Sequence, residues 1–395
     1  MVKKSSRKTK APKASSRLSP LLIVAAVLVV AIIAAATFFL RGSDESAPAD
    51  ESVASPKPVD AFYMPAEFHN QETLLLGGDQ LAGLHPDVMA AMVKAASGAV
   101  NIRILAGSSE GRSLVEKVLT DNHLPITSVE IMELPILTMW VRDFGPVTVS
   151  DVKGRRSMVD FHYRERRGNK QDDGVPSYLA MSMGLNVMGS PLLVEGGDFL
   201  SNGRGLCLLS TRVINRNAHY LEMEPDQTMA NFAAVLGFEQ LYLAAPLTGE
   251  LTGHIDMICA FLKTDLVLVG SFESSVDPEN QSQLDRIARE MAELQTLEGP
   301  LRVERIPMPD HDDGVWRTYT NIVFANDVLL VPVYPDYCPD MDQAALATYR
   351  RLLPDRKVVG IDCSRLIKMN GALRCITMNV PSDKPLFPTD VAPGN

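Results

Sequence analysis

The chain has 395 residues, of which 48 are acidic, 38 are basic and 46% are hydrophobic, and its formal net charge is −10. An acidic balance argues against a nucleic-acid partner and would attract cationic substrates, although it can also serve solubility alone. The five cysteines are odd in number and lack metal-ligand spacing, so the sequence gives no sign of a metal or another cofactor.

The first 60 residues predict a membrane anchor followed by a spacer. A tail at 1–17 has seven basic and no acidic side chains, and 21 uncharged, mostly apolar residues follow from Pro20 to Leu40. Such a run is long enough to cross a bilayer, and its basic flank should stay in the cytoplasm. We therefore predict a cytoplasmic tail at 1–17, a single transmembrane helix at 18–40 and a flexible linker at 41–60. Cleavage of this segment after its alanines stays open as an alternative.

Residues 61–395 then form one domain, which we expect in the periplasm or outside the cell. Because the tail holds seven positive charges, the rest of the chain carries −17. Apolar β-rich runs alternate with helical stretches, which predicts a mixed α/β fold and by itself suggests a layered sheet. The clearest predicted strands are Leu266–Val269, Ile322–Phe324 and Val328–Val333, and the clearest predicted helices are Asp87–Ala96, Gln281–Leu297 and Met341–Leu353.

Two segments place carboxylates at turns. Trp140 and Asp143 are three residues apart before a Gly-Pro turn, and together they offer a cation receptor, because an indole face attracts a planar cation and a carboxylate accepts its N–H groups. A surface pair of Arg142 and Asp143 beside a core Trp is an equally open interpretation. Further on, Glu195 precedes a Gly-Gly pair after an apolar run, which predicts a carboxylate at a strand end.

A histidine and a cysteine supply the parts of a thiol hydrolase. His254 and Asp256 are two residues apart in a segment that predicts a buried strand, so both side chains should share one face. Cys375 lies between Gly371 and Pro381, which suits a strand end or turn that holds a thiol at a cleft. Its thiolate would need a base or a positive neighbour. Each residue alone is also compatible with an ordinary place in the core.

In this order, the segments resemble the agmatine deiminase and bacterial peptidyl-arginine deiminase family of guanidine-modifying enzymes. The family pattern runs Trp-x-Arg-Asp-x-Gly-Pro, Glu-Gly-Gly, Gly-His-x-Asp, an Asn-bearing strand and His-Cys-x-Thr. The resemblance covers about residues 61–383, with matches at Trp140 to Pro146, Glu195 to Gly197, Gly253 to Asp256, Tyr319 to Asn321 and Arg374 to Thr377. It implies a pentein-like α/β propeller of five ββαβ-type units around a pseudo-fivefold axis, although no internal sequence repeat is evident.

The resemblance also implies a role for each matching residue. Cys375 would be the nucleophile and His254 the general acid and base, while Asp143 and Asp256 hold the substrate guanidinium. The supporting groups would be Trp140, Glu195 and Asn321. Such a site suits the chemistry, because a guanidinium carbon is a poor electrophile whose plane must be fixed while sulfur attacks. No metal is required.

One position departs from the family pattern, because Arg374 stands where the family has His before the nucleophile. In an extended segment this side chain would point away from the site. If the guanidinium lay near Cys375, it would favour the thiolate. Alternatively, the change from His marks a chain that binds its ligand without turnover.

The substrate is predicted from a basic segment after the first carboxylate motif. Arg164, Arg166 and Arg167 resemble the arginines with which the peptidyl-arginine branch binds a terminal carboxylate, although a solvated basic loop is the alternative. We therefore predict a membrane-anchored deiminase that acts on arginine-like small molecules or peptides with arginine. The alternatives are an agmatine deiminase that makes N-carbamoylputrescine for putrescine biosynthesis, a non-catalytic tethered receptor for arginine-like ligands, and a structural envelope domain.

Overall fold

A computed structural model describes residues 62–163 and 170–384. The predicted tail, transmembrane helix and linker lie outside the described residues, and so do Arg164, Arg166 and Arg167. Within the described ranges, no helix is both long and apolar enough to cross a bilayer.

Strands and short helices alternate along the whole described chain. The eighteen strands in these ranges are β1 (Gln71–Gly77), β2 (Asn101–Ala106), β3 (Glu130–Glu133), β4 (Val147–Ser150), β5 (Arg156–His162), β6 (Asn186–Leu193), β7 (Phe199–Ser201), β8 (Leu206–Ser210), β9 (Gln240–Ala244), β10 (Cys259–Lys263), β11 (Leu266–Ser271), β12 (Gln295–Thr296), β13 (Gly299–Pro300), β14 (Arg302–Pro307), β15 (Val323–Ala325), β16 (Val328–Val333), β17 (Lys357–Asp362) and β18 (Thr377–Pro381). The predicted strands at 266, 322 and 328 are therefore present.

The helices begin and end at recognisable signals. They are α1 (Asp79–Leu84), α2 (Pro86–Ala96), α3 (Ser109–Asp121), α4 (Val141–Phe144), α5 (Lys170–Asp173), α6 (Val175–Met183), α7 (Thr211–Leu221), α8 (Pro225–Leu236), α9 (Pro278–Ala292) and α10 (Pro339–Leu352). Proline occupies the first turn of α2, α6, α8, α9 and α10, where its missing N–H costs nothing. The side chain of Asp277 caps α9, and Gly237 ends α8 in the left-handed conformation.

Five small sheets with a common strand order replace the single layered sheet that alternation alone suggested. In each sheet an antiparallel pair is extended by a parallel strand: β4-β5-β6, β7-β8-β9, β10-β11-β14, β15-β16-β17 and β18-β1-β2, the last with β3 added. A parallel neighbour needs a crossover, and helices supply it between the second and third strand of each unit. The five ββαβ-type units implied by the resemblance are thus observed.

The last strand closes this arrangement onto the first. β18 pairs antiparallel with β1, with Leu75 opposite Met378 and Leu76 opposite Thr377. Both strands and the helices that cover them bury apolar side chains in two core clusters. Leu74 and Leu76 belong to the largest cluster, and Val380 belongs to its neighbour. Closure therefore brings the C-terminal segment, with Cys375 just before β18, against the start of the domain.

Two local predictions were wrong. The helix predicted to continue to Leu297 ends at Ala292, because residues 295–300 form the hairpin of β12 and β13. The strand predicted from Ile255 begins only at Cys259, after a 3₁₀ turn at Ile255–Met257. Gly253 has a φ of +66°, which extended backbone does not allow, so the chain turns sharply before it enters β10.

Candidate active site

Cys375 lies in a turn at the junction of two units. Its side chain is 4% exposed, and its Sγ accepts a hydrogen bond of 3.3 Å from Nδ2 of Asn321. Oδ1 of the same amide accepts from the backbone N–H of Arg374 at 2.8 Å, which fixes Asn321 beside the thiol. Burial raises the pKa of the Cys375 thiol above its ordinary value, and the charges of Asp256 and Asp143 raise it further. A cation bound next to these carboxylates would reverse that effect.

His254 is held by hydrogen bonding at one ring nitrogen and faces a carboxylate with the other. Its Nε2 lies 2.8 Å from Oε2 of Glu195, and its Nδ1 lies 4.0 Å from Oδ1 of Asp143. Burial alone would lower the pKa of His254, but the charges of Asp143, Glu195 and Asp198 raise it to about 10. The imidazole is therefore a cation at neutral pH and a ready proton donor.

A second ion pair holds the partner of this histidine. Arg216 donates from Nη2 to Glu195 at 2.7 Å and from Nη1 to Asp198 at 2.6 Å. Burial would raise the pKa of Glu195, but the hydrogen bond from His254 and the charge of Arg216 lower it to about 2. Glu195 is thus a fixed anion, and it orients the ring as a carboxylate partner of a catalytic histidine does.

The Gly-Gly pair after Glu195 allows the ring to approach. A Cβ atom on Gly197 would lie 2.3 Å from Nδ1 of His254, a distance that real Cβ contacts do not show. The Gly-Gly motif therefore forms a turn after β6 and also leaves the space that the ring of His254 occupies.

Two carboxylates beside the thiol have acceptor atoms without a donor. Oδ1 of Asp143 and Oδ1 of Asp256 are buried and lack a hydrogen-bond partner within the described ranges, and the same holds for Nδ1 of His254. Burial raises the pKa of Asp143 to about 7, with Glu195 and Asp256 adding to the rise and His254 opposing it. Unpaired buried acceptors are costly, and a guanidinium, with five N–H donors in one plane, would satisfy them.

Two buried arginines lie behind these carboxylates. Arg142 binds Oε1 of Glu67 at 2.7 Å, so the alternative of a surface pair with Asp143 is wrong. The guanidinium of Arg374 donates to Asp256 at 2.7 Å and to Glu67 at 2.9 Å. The expectation that Arg374 points away from the site is also wrong, because the chain turns at Leu373–Ile376 and is not extended there.

Trp140 forms a wall of the site. Its half-buried indole packs so closely on Gly371 that a Cβ there would lie 2.4 Å from the ring and 3.1 Å from Cβ of Cys375. The absence of a Cβ at Gly371 therefore lets the indole lie close to Cys375, where an aromatic face would favour a planar cation.

The structure thus brings together all the sequence-predicted site residues that it describes: Trp140, Asp143, Glu195, His254, Asp256, Asn321 and Cys375. Sequence reasoning missed the ion-pairing roles of Glu67, Asp198 and Arg216. None of the three has a local signal, because their partners are 18 to 307 residues away in the chain.

One group of the site has the composition of a metal site. Ligand atoms of Glu195, Asp198 and His254 lie within 4.8 Å of one another. Arg216 already donates to both carboxylates, however, and so supplies the positive charge that a metal ion would bring.

The other cysteines have no part in the site. Cys207, Cys259 and Cys363 are buried free thiols, and Cys338 is a half-buried free thiol. The sequence left open whether these four cysteines form disulfides, and in the structure all four are unpaired.

Comparison with known proteins agrees with this geometry. The family model of Porphyromonas-type peptidyl-arginine deiminase matches residues 63–381. A protein of Shewanella sp. (strain MR-4), provisionally named an agmatine deiminase, is 23% identical over 86% of this chain and all of its own length. The structure of agmatine deiminase from Enterococcus faecalis shares the fold, with a TM-score of 0.70 at 20% identity over 82% of this chain and 97% of its own.

A Porphyromonas gingivalis structure, provisionally named an arginine deiminase, gives a TM-score of 0.69 at 23% identity over 81% of this chain and 98% of its own. The family match covers well over half of the chain and includes every motif of the site. The chain therefore belongs to the Porphyromonas-type peptidyl-arginine deiminases, and with them to the hydrolases that act on guanidino groups.

Proposed function

We propose that this protein deiminates the guanidinium of arginine at the end of a small molecule or peptide and releases a ureido product and ammonia. The observation that carries the proposal is the set of unpaired acceptor atoms on Asp143 and Asp256 beside a buried thiol and a protonated imidazole. Two carboxylates at this place would fix the plane of the guanidinium and keep it charged.

The bound cation then prepares the nucleophile. It offsets the charges of Asp143 and Asp256, which otherwise raise the pKa of the thiol, so Cys375 releases its proton to solvent when substrate is present. The thiolate attacks the guanidinium carbon and forms a C–S bond. His254, charged at neutral pH, gives its proton to the departing nitrogen, and the C–N bond breaks to leave ammonia and a cationic thiouronium.

Water completes the turnover. The neutral His254 takes a proton from water as the oxygen attacks the thiouronium carbon, and the C–S bond breaks to return the thiol and the ureido product. Asn321, which donates to Sγ, holds the sulfur in place, and Glu195 keeps the ring oriented for both proton transfers.

A peptidyl-arginine type of substrate is supported by the family match over residues 63–381 and by the sequence of the basic segment at 164–167. The residues that flank it, Tyr163 and the helix α5, lie next to the Trp140 wall, because Asp172 of α5 accepts hydrogen bonds from the backbone of Leu137 and the hydroxyl of Thr138. We propose that Arg164, Arg166 and Arg167 bind a substrate carboxylate. The second candidate is agmatine, which is the substrate in the names of several relatives.

The test is a substrate panel on the full chain, purified in mild detergent. Agmatine, free arginine and peptides ending in arginine are incubated with the protein, and ammonia and ureido product are measured. We expect carboxylate-bearing substrates to exceed agmatine about tenfold or more in kcat/KM, because a charge-assisted bond contributes roughly 1.5–3 kcal/mol. Replacing Arg164, Arg166 and Arg167 by Gln should erase this preference, and Cys375→Ser should abolish every turnover.

Three outcomes contradict parts of the proposal. A preference for agmatine assigns the protein to agmatine deimination. Ligand binding by calorimetry without product points to a tethered receptor, and neither binding nor turnover points to a structural domain.

We further propose that the chain is a single-pass membrane protein with its tail in the cytoplasm and its deiminase domain outside. The seven basic residues before the uncharged run support this orientation. Protease added to inverted membrane vesicles should remove the tail and leave the domain intact. Digestion of the domain from that face, or its recovery as a soluble fragment, contradicts the orientation or the anchor.

A further inference from the structure

Arg374 is the position at which this chain departs from the pattern of its family, and it makes the densest set of contacts in the site. The side chain is 2% exposed and its guanidinium lies between two carboxylates. Nη1 donates to Oδ2 of Asp256 at 2.7 Å and Nη2 donates to Oε1 of Glu67 at 2.9 Å. Nη1 also donates to the backbone oxygen of Gly196 at 3.1 Å.

The two oxygens of Asp256 are consequently unequal. Oδ2 is taken by Arg374, whereas Oδ1 is buried and has no hydrogen-bond partner in the described part of the chain. Arg374 itself is held by Glu67, to which its Nε and Nη2 both donate, so its single charge-assisted bond to Oδ2 orients Asp256 and leaves Oδ1 as the free oxygen. Asp256 would therefore lie between two guanidinium groups, one from the protein and one from the substrate.

We propose that Arg374 is a positioning residue that acts through Asp256: it fixes Oδ1 toward the reacting guanidinium and offsets the charge of this carboxylate beside Cys375. The first part, the orientation of Oδ1, rests on the proposed function. The second part, the effect of the charge on Cys375, does not. Among the described residues, Asp256, Asp143 and Arg142 are charged groups whose fields reach the thiol, and Arg374 pairs with the first of them.

The two parts have different consequences for substitutions. Arg374→Gln removes the charge and the charge-assisted bond to Oδ2, so Asp256 keeps an uncompensated charge and loses the bond that orients it. We expect kcat to fall about tenfold or more, because small displacements in a catalytic site have effects of this size. KM should stay equal or fall, because a positive charge next to the cation site is removed. Arg374→Lys keeps the charge without the planar fork, and should lower kcat while it preserves the reactivity of the thiol.

Thiol reactivity supplies a measurement that needs no substrate. Alkylation of Cys375 by iodoacetamide is followed by mass spectrometry of its peptide between about pH 7 and pH 10, since the thiolate is the species that reacts. In Arg374→Gln the rise in the alkylation rate should move to higher pH, so that the rate at a given pH is at least about threefold below that of the parent. Arg374→Lys should have the alkylation profile of the parent. Arg156→Gln is the matched control, because Arg156 is a nearly buried arginine at the start of β5 that pairs with Glu72.

The outcomes separate this inference from the proposed function. A parent protein that turns over no guanidine contradicts the proposed function, and the alkylation profiles still decide the role of the Arg374 charge. A glutamine variant with parental alkylation and a kcat within threefold of the parent overturns the proposal. If the glutamine variant does not fold, the lysine variant decides: a reduced kcat with a parental alkylation profile supports a positioning role, and a parental kcat overturns it. A merely structural role would lower the melting temperature without moving the alkylation profile.

Discussion

Replacing Asp143 by Asn tests the cation receptor most directly, because Asn keeps the shape of the side chain and removes its charge. Oδ1 of Asp143 has no hydrogen-bond partner among the residues that the structure describes, and it lies 4.0 Å from Nδ1 of His254. A charge-assisted hydrogen bond to the substrate contributes roughly 1.5–3 kcal/mol, and two unit charges 4 Å apart interact by about 4 kcal/mol at an effective dielectric constant of 20.

We therefore expect Asp143→Asn to lose about 2–3 kcal/mol of transition-state stabilisation, which is roughly a 30- to 150-fold fall in kcat/KM. Asp143 is also the strongest of the charges that raise the pKa of His254, so the basic limb of the pH profile should move down. The assay is kcat and KM for the best substrate at pH 8, with ureido product as the readout. Asp121→Asn is the control, because Asp121 is exposed and pairs only with Lys117 on the surface of α3. A kcat/KM within threefold of the parent in Asp143→Asn would refute the assignment of this carboxylate.

Two further predictions concern the same site. In a profile against pH, kcat/KM should fall below about pH 7, because Asp143 takes up a proton there and loses its charge. It should also fall above about pH 10, because His254 loses its proton. A kcat/KM that stays constant from pH 5 to 7 would contradict the role of Asp143. Gly197→Ala should lower kcat/KM by about a hundredfold, because its Cβ would displace His254, whereas Gly189→Ala, whose Cβ meets nothing within 4 Å, should match the parent in kcat/KM and melting temperature.

The sequence predicted the chemistry of the site better than its geometry. Trp140, Asp143, His254 and Cys375 stand in short motifs, and a motif is visible because its residues are close along the chain. The partner of Arg142 is 75 residues away, so nothing local distinguished a buried pair with Glu67 from a surface pair with Asp143.

The failures of the fold prediction have similar causes. Alternation of strands and helices is the same in one large sheet and in five small ones, because the difference lies in which strands pair across the chain. The strand predicted around Asp256 was wrong because apolar residues favour a strand and a 3₁₀ turn alike, and the left-handed Gly253 decides between them. Arg374 was expected to point outward because an extended segment was assumed, whereas a turn places its guanidinium on Asp256.

The pairing of β18 with β1 ties activity to the completion of synthesis. A domain is made from its N-terminus, and its early units can acquire structure while later residues are still being added. The proposed nucleophile and the strand that pairs with β1 both lie within the last stretch of the described chain, at Cys375 and Thr377–Pro381. A chain that is interrupted between Asp256 and Cys375 therefore carries the carboxylates and His254 without this thiol.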